Sequence, residues 1–313
     1  MLEGRTFFFP FEVSLMEWLQ QVVSPGLMGV ISYLSMFGEE LVMIAILGFL
    51  YWGWNKELGK RVGLNLLVAN VWNPMVKNIF LRRRPYFDHE GIRILRVVEP
   101  EADPMDIVAQ GYSFPSGHST CAFATYGSLA HETKHRVWKV LAVVLPLLVG
   151  FSRISVGAHY PTDVLVGWLL GAVAILLVTV LRRKIRSVYA FYGLLLLLTV
   201  PGIFYCRSAD YFTSLGLLLG FMGATLLDER AVHFENTKSI LRCVLRTICG
   251  GALFLMLNTL LKLPFSDAFL SGGTMGALLV RMLRYAVVGF LVVGVYPCVF
   301  RVTDRLFTGK QAA

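Results

Sequence analysis

The sequence predicts an all-α, polytopic transmembrane helical bundle of about nine spans, and three features predict it. Hydrophobic residues make up 56% of the 313 residues and charged ones 16%, where a soluble domain carries about 25% charged residues; mean hydropathy is +0.64. Apolar runs recur along the chain, at 38–54, 62–81, 115–131, 137–152, 162–181, 187–204, 211–227, 241–261 and 275–299. The loops between them alternate in charge. Lys and Arg concentrate in 55–61, 132–139, 182–186, 228–246 and the tail from 301, whereas 205–210 and 262–274 hold one Arg and one Lys.

From the N-terminus, residues 7–23 read FFFPFEVSLMEWLQQVV. This stretch lacks a basic n-region before a clean apolar core, so a membrane-surface segment anchored by Trp18 and the Phe triplet is expected rather than a cleavable signal peptide. Residues 25–37 read as a short helix after Pro25 that leads into the first span. Several runs are shorter than the ~20 residues of a full crossing. By the positive-inside rule the basic loops are cytoplasmic. The N-terminus is then outside, the C-terminus cytoplasmic, and residues 82–114 and 153–161 share the non-cytoplasmic face.

The formal charge of +9 suits positive cytoplasmic loops and anionic lipid headgroups. The basic residues are scattered over short loops without a nucleic-acid motif, so no nucleic-acid partner is expected. The five Cys (121, 206, 243, 249, 298) fall mostly in apolar runs and form no C-x-x-C pair, which points to neither a zinc site nor a disulfide framework.

One outer loop breaks the charge pattern. Residues 82–84 are RRR, and Lys77 precedes them inside an apolar run. Ionisable groups at membrane depth are costly and mark function by default; snorkelling to headgroups is the alternative. Lys77 and Arg84 are two turns apart if one helix carries both, and would share a face. The stretch YSFPSGHST (112–120) opens the next apolar run. Pro115 suits a first helical position, Gly117 lets a group approach the backbone, and free N–H groups at a helix start bind anions. Ser116 adds a donor, and His118 lies one turn in, facing the same mouth. In SRISVGAHYPTD (152–163), Arg153 ends one span and Pro161 begins the next. Asp163 follows His159 by four residues and can reach a ring nitrogen if the chain turns into a helix there. A carboxylate on one imidazole nitrogen fixes the tautomer and sharpens the other as a nucleophile. Three cations and backbone amides suit a phosphoryl group. One His can attack phosphorus and the other serve as acid and base; the residues alone leave open which. No Asp/Glu cluster accompanies them, so no metal or other cofactor is expected.

In this order, K-x6-R-P, P-S-G-H and S-R-x5-H-x3-D resemble the three signature motifs of the type 2 phosphatidic acid phosphatase superfamily. That group includes lipid phosphate phosphatases, glucose-6-phosphatase, sphingosine-1-phosphate phosphatases and vanadium haloperoxidases. The resemblance covers 77–163, and all its motif positions are filled. It implies that His159 is the nucleophile, forming a phosphohistidine, that Asp163 orients it, and that His118 is the general acid. It further implies that Lys77, Arg84, Ser116, Gly117 and Arg153 hold the phosphate without a metal. The expected organisation is a surface segment at 1–37, a catalytic transmembrane core at 38–186 and accessory helices at 187–313, the last serving as scaffold or homodimer surface. Gly216 and Gly220 form a GxxxG packing signal there, and Arg281 and Arg284 read as snorkelling.

The expected substrate is a lipid phosphate: a polyprenyl diphosphate, phosphatidate, phosphatidylglycerol phosphate or sphingoid-base phosphate. The nine-span layout and GEELVMIAILGFLYW (38–52) are similar to the glucose-6-phosphatase and sphingosine-1-phosphate types, although Asp163 departs from the glucose-6-phosphatase pattern. A sugar phosphatase is the alternative enzyme. A non-catalytic phosphate-binding protein or transporter is the alternative of another class, which the His118–His159–Asp163 set disfavours. The acidic loop 86–114 reads as a solvated loop or as a lid over the headgroup.

Overall fold

The computed structural model describes residues 4–237 and 239–300, with Pro25 described by its backbone alone. The expected basic tail from 301 lies outside the described residues. Among the described residues the chain is helical, and a single isolated bridge between Arg5 and Arg82 is the one β pairing. The chain divides into two compact units, residues 4–43 with 72–181 and residues 44–71 with 182–300.

The first unit begins with α1 (Pro10–Val22). Pro10 supplies a preset φ at its first position, and Glu12 at the third accepts the Phe9 N–H at 2.9 Å. Next come α2 (Pro25–Tyr33), capped by Ser24 and continued by a 3₁₀ turn, the start of α3 (Glu40–Gly48) and the last turns of α4 (Lys56–Phe80). Two short helices, α5 (Pro85–Asp88) and α6 (Ile107–Gln110), punctuate the long loop. Then α7 (Gly117–Thr133) and α8 (Arg136–Ser155) form a hairpin through a left-handed Lys134, and α9 (Pro161–Lys184) follows. α1 and α2 both pack against α8.

The loop 86–114 is pinned at several points. Arg93 donates to the Gln20 carbonyl at 2.7 Å, and Arg96 pairs with Glu39 at 2.5 Å. Asp88, one of its acids, is occupied by Arg83 at 2.6 Å.

The second unit holds the π-helical end of α3, the first turns of α4, α10 (Val188–Thr199), α11 (Ala209–Leu227), α12 (Ile240–Leu260), α13 (Asp267–Ser271) and α14 (Met275–Phe290). Tyr51, Trp52, Phe234, Val288 and Val292 form a buried cluster. The glycines of the 216–220 pair face α14 so closely that a methyl on either would collide with the carbonyl of Met282 or Ala286. Arg284 does not snorkel: it is buried, 5.5 Å from the Tyr285 ring centroid.

Each of the nine expected runs is helical, yet the count of nine crossings is not established. Among the described residues five helices are long and apolar enough to cross a membrane: Arg136–Ser155, Pro161–Lys184, Ala209–Val232, Ile240–Leu260 and Met275–Val299. The pair Gly26–Gly38 and Glu40–Trp54, bent by 44°, makes six if it is one span, and Val188–Phe204 is shorter. α4 and α7 fall outside this set for a physical reason. α4 places Asn65 and Asn73 in the interior, and α7 places Ser119, Thr120, Thr125 and Ser128 there. A helix surrounded by protein does not need to be apolar all round.

Gly220→Ala is expected to lower stability by roughly 1–3 kcal/mol, because backbone rather than a flexible side chain meets the new methyl. Gly193→Ala meets open space and is expected to be neutral. Thermal midpoints of the two variants in detergent check this pair.

Candidate active site

The expected site residues all belong to the first unit. The segment carrying Lys77 and Arg84 departs from the single helix expected of it. α4 ends at Phe80, and Leu81 takes a left-handed φ of 51°. The following residues then pair with the N-terminal segment: Arg5 N–H donates to Leu81 O at 2.8 Å, and Arg83 N–H donates to Arg5 O at 3.0 Å. This tertiary pairing overrides the helical pattern, so Lys77 and Arg84 do not share a helix face. Arg84 instead caps α5, with Pro85 at its first position. It is buried, donating from Nε to the carbonyls of Gln110 (2.9 Å) and Gly111 (3.1 Å) and from Nη1 to Ala158 O (3.0 Å).

The PSGH turn is also shifted from expectation. Ser116 is the N-cap of α7, Gly117 its first residue and His118 its second, so Pro115 precedes the helix and His118 is not a full turn in. Ser116 Oγ accepts from the Ser119 N–H (3.4 Å) and Oγ–H (3.0 Å), leaving its own proton to donate. Its backbone N–H donates to Asp163 O at 2.9 Å, tying the starts of α7 and α9 together. This approach requires a glycine on α9: a Cβ at Gly167 would stand 2.7 Å from Ser116 O. Gly117 is different. A Cβ there would meet only Asn73 Oδ1, at 3.7 Å, so the space beside its Cα is open.

The third segment turns tightly. The carbonyl of Arg153, in the last turn of α8, accepts the N–H groups of Ala158 and His159, both at 3.2 Å. Asp163 is the third residue of α9. Its Oδ2 accepts the Tyr160 N–H at 2.8 Å, the carboxylate half of a capping box, while its own N–H donates to the Tyr160 backbone carbonyl at 3.0 Å. His159 sits just before this box, with Nδ1 3.5 Å from Asp163 Oδ2 and Nε2 3.4 Å from Arg84 Nη1. Both His159 and Asp163 are buried. Burial first, then the charges of Arg84, Arg153 and Lys77, hold His159 well below the ordinary imidazole range, so at neutral pH it carries no charge. His118, half-buried, lies within electrostatic reach of Arg153, His159, Arg96 and Arg84. Arg153 is buried with its Nε lacking a hydrogen-bond partner among the described residues. Two imidazoles, one carboxylate and cations from separate segments therefore lie within electrostatic reach of one another.

Four residues that the motifs do not contain take part. Asn73, one turn before Lys77, donates to Pro115 O (3.3 Å) and Thr120 Oγ1 (3.0 Å), which fixes α4 to the PSGH turn. Arg96 reaches Ser32 O, Ser35 Oγ and Glu39 from the long loop. Arg82 donates to Asp163 Oδ1 at 2.7 Å and to Glu12 Oε2 at 2.9 Å. In the sequence Arg82 belongs to the RRR stretch at 82–84, and Glu12 is a charge within a largely apolar stretch. Among the described residues no group of three or more His, Cys, Asp and Glu is arranged to hold a metal ion.

Residues 59–187, which contain this constellation, match the PAP2 superfamily, and residues 212–306 match the transmembrane extension of PAP2 superfamily phosphatases. The chain belongs to the PAP2 superfamily and is a membrane phosphatase. Among curated proteins it is similar to an undecaprenyl-diphosphatase of Sulfolobus acidocaldarius, at 28% identity over 52% of this chain and 74% of the relative. It is 31% identical to a decaprenylphosphoryl-5-phosphoribose phosphatase of Mycobacterium tuberculosis, over 51% of this chain and 85% of the relative. It is 36% identical to phosphatidylglycerophosphatase B of Bacillus subtilis, over 28% of this chain and 48% of the relative. No solved structure gives a significant match.

The open space beside Gly117 separates folding from ligand binding. Gly117→Ala is expected to fold with an unchanged or raised thermal midpoint, since Ala suits a helix better than Gly. Its affinity for vanadate is expected to fall by about tenfold or more, because the added methyl hinders the approach of the anion to the retained N–H. Inhibition titrations and thermal melts on the same preparation check both halves.

Proposed function

We propose that this chain hydrolyses a lipid phosphate through a phosphohistidine on His159, without a metal, and that the lipid is polyprenyl-linked. The observation that carries the reading is the placement of His159 between a carboxylate on Nδ1 and a cationic pocket on Nε2. With its proton on Nδ1 towards Asp163, the ring presents the Nε2 lone pair to the pocket. Arg84, Arg153, Lys77, Ser116 and the Gly117 N–H would hold the equatorial oxygens of the phosphoryl group. Nε2 attacks phosphorus, the bond to the leaving oxygen breaks with its electron pair, and His118 gives that oxygen a proton. His118 then takes a proton from water, which attacks the phosphohistidine; the P–N bond breaks and its electrons return to Nε2. The cations do the work that a metal would do elsewhere. A polyprenyl carrier is supported by the activities for which two of the relatives above are named, and the headgroup is a diphosphate or a monoester.

Phosphate release by purified protein in detergent with EDTA tests this reading. The panel is a polyprenyl diphosphate, phosphatidate, sphingosine-1-phosphate and glucose-6-phosphate, each alongside His159→Ala. Release is expected to survive EDTA and to fall by roughly 10⁴-fold or more in the variant, as when a nucleophile is removed. Fastest release from glucose-6-phosphate would establish the sugar phosphatase instead. Equal release by the variant, or none from any compound, would overturn the mechanism.

The alternation of basic loops supports a site on the non-cytoplasmic face and a cytoplasmic C-terminus. In a background without the native cysteines, Glu90→Cys is expected to react with a membrane-impermeant maleimide added outside intact cells. Labelling only after the membrane is opened would place the site in the cytoplasm.

A further inference from the structure

Behind Asp163 lies a second layer of charge that the mechanism above does not use. Arg82 is 1% exposed, and Glu12 and Asp163 are 0% exposed. Arg82 Nη1 donates to Asp163 Oδ1 (2.7 Å) and Thr162 Oγ1 (2.8 Å), and Nη2 donates to Glu12 Oε2 (2.9 Å). Glu12 Oε1 accepts from the N–H (2.9 Å) and Oγ1–H (2.6 Å) of Thr162, the residue next to Asp163. The guanidinium lies 3.8 Å from the Tyr160 ring centroid and 4.6 Å from that of Phe7. An ion triad so buried gives uncertain stability in return for desolvation, which raises the question of what it does.

Its geometry is directed at the His159–Asp163 pair. Arg82 occupies Oδ1 and so fixes the plane of the carboxylate, leaving Oδ2 to the Tyr160 N–H and the His159 ring. Alone, the Arg82 charge would neutralise Asp163 and weaken its hold on the imidazole. Glu12 offsets that charge, so two carboxylates and one guanidinium leave one net negative charge behind His159. On the other side the charged or titratable groups acting on His159 among the described residues are Arg84, Arg153, Lys77 and His118, with a hydrogen bond to the Ser113 backbone beside them. Asp88 and His89 approach Tyr160 rather than the triad.

We infer that Glu12, on the N-terminal segment outside the motif-bearing region, and Arg82 are positioning residues for His159, holding Asp163 in its productive plane and keeping it effectively anionic. This rests on the reading of His159 as nucleophile. The first helix, expected as a membrane-surface segment, then supplies part of the reaction machinery through one buried carboxylate.

The test uses Glu12→Gln, Glu12→Asp and Arg82→Lys in the full chain, with polyprenyl diphosphate in mixed micelles as the probe. Glu12→Gln is expected to lower kcat by roughly tenfold to a hundredfold, the effect typical of outer partners that orient a histidine, with KM within about twofold because no phosphate contact is lost. Removing a negative charge near the ring makes its protonation harder, so the acid limb of kcat/KM moves to lower pH. Glu12→Asp is expected to restore part of both. A wild-type kcat and limb in Glu12→Gln, with only the thermal midpoint lowered, would overturn the inference and leave the triad structural. Should Glu12→Gln fail to fold, Arg82→Lys decides: it keeps the charge without the fork, and wild-type kcat and limb there overturn the inference as well. His159→Ala run in parallel separates the two failures. Its inactivity beside a fully active Glu12→Gln sinks only this inference, whereas its full activity sinks the phosphohistidine reading.

Discussion

Arg84 and Arg153 are buried beside the same histidine, and like charges taken out of water repel. Internal partners relieve part of this. Arg84 spends its donors on the carbonyls of Gln110, Gly111 and Ala158, which supply dipoles but no countercharge. A phosphoryl group, with charge on three oxygens, complements such a set of cations. Burial first, and then those charges, hold His159 unprotonated at neutral pH, so the field that suits an anion also leaves a ring lone pair available.

Holding such a pocket together takes long-range ties rather than local propensity. The Ser116 N–H to Asp163 O bond joins two helix starts 47 residues apart in sequence, and Gly167 makes the approach possible. Asn73 fixes a third helix to the same turn. The long loop contributes through Arg84, whose Nε reads the carbonyls of Gln110 and Gly111. Each segment supplies one or two groups, and each is held by a backbone atom of another segment, so the geometry does not depend on flexible side chains alone.

The three motifs were legible in the sequence because each is a local pattern whose residue types the chemistry requires. The 159–163 spacing foretold the His–Asp contact. The helix end at Leu81 was not legible: an apolar run continues through it, and what stops the helix is pairing with Arg5, 76 residues earlier. The start of α7 was misread by two residues, because Ser116, a good N-cap, competes with Pro115 for the role of helix opener. The pairing of Glu12 with Arg82 across 70 residues has no periodicity to reveal it. The number of crossings is not fixed by apolarity, since interior helices such as α7 carry polar residues that such a criterion excludes.

The central claim is that His159 Nε2 attacks phosphorus, and trapping the intermediate tests it most directly. The protein would be mixed with terminally ³²P-labelled polyprenyl diphosphate, quenched in alkali within milliseconds to seconds, and the labelled peptide sequenced by mass spectrometry. The account predicts phosphate on Nε2 of His159, accumulating further in His118→Ala if water activation becomes slow. Label on Nδ1, on His118 or on a carboxylate, or turnover with no covalent label at any time point, would contradict it.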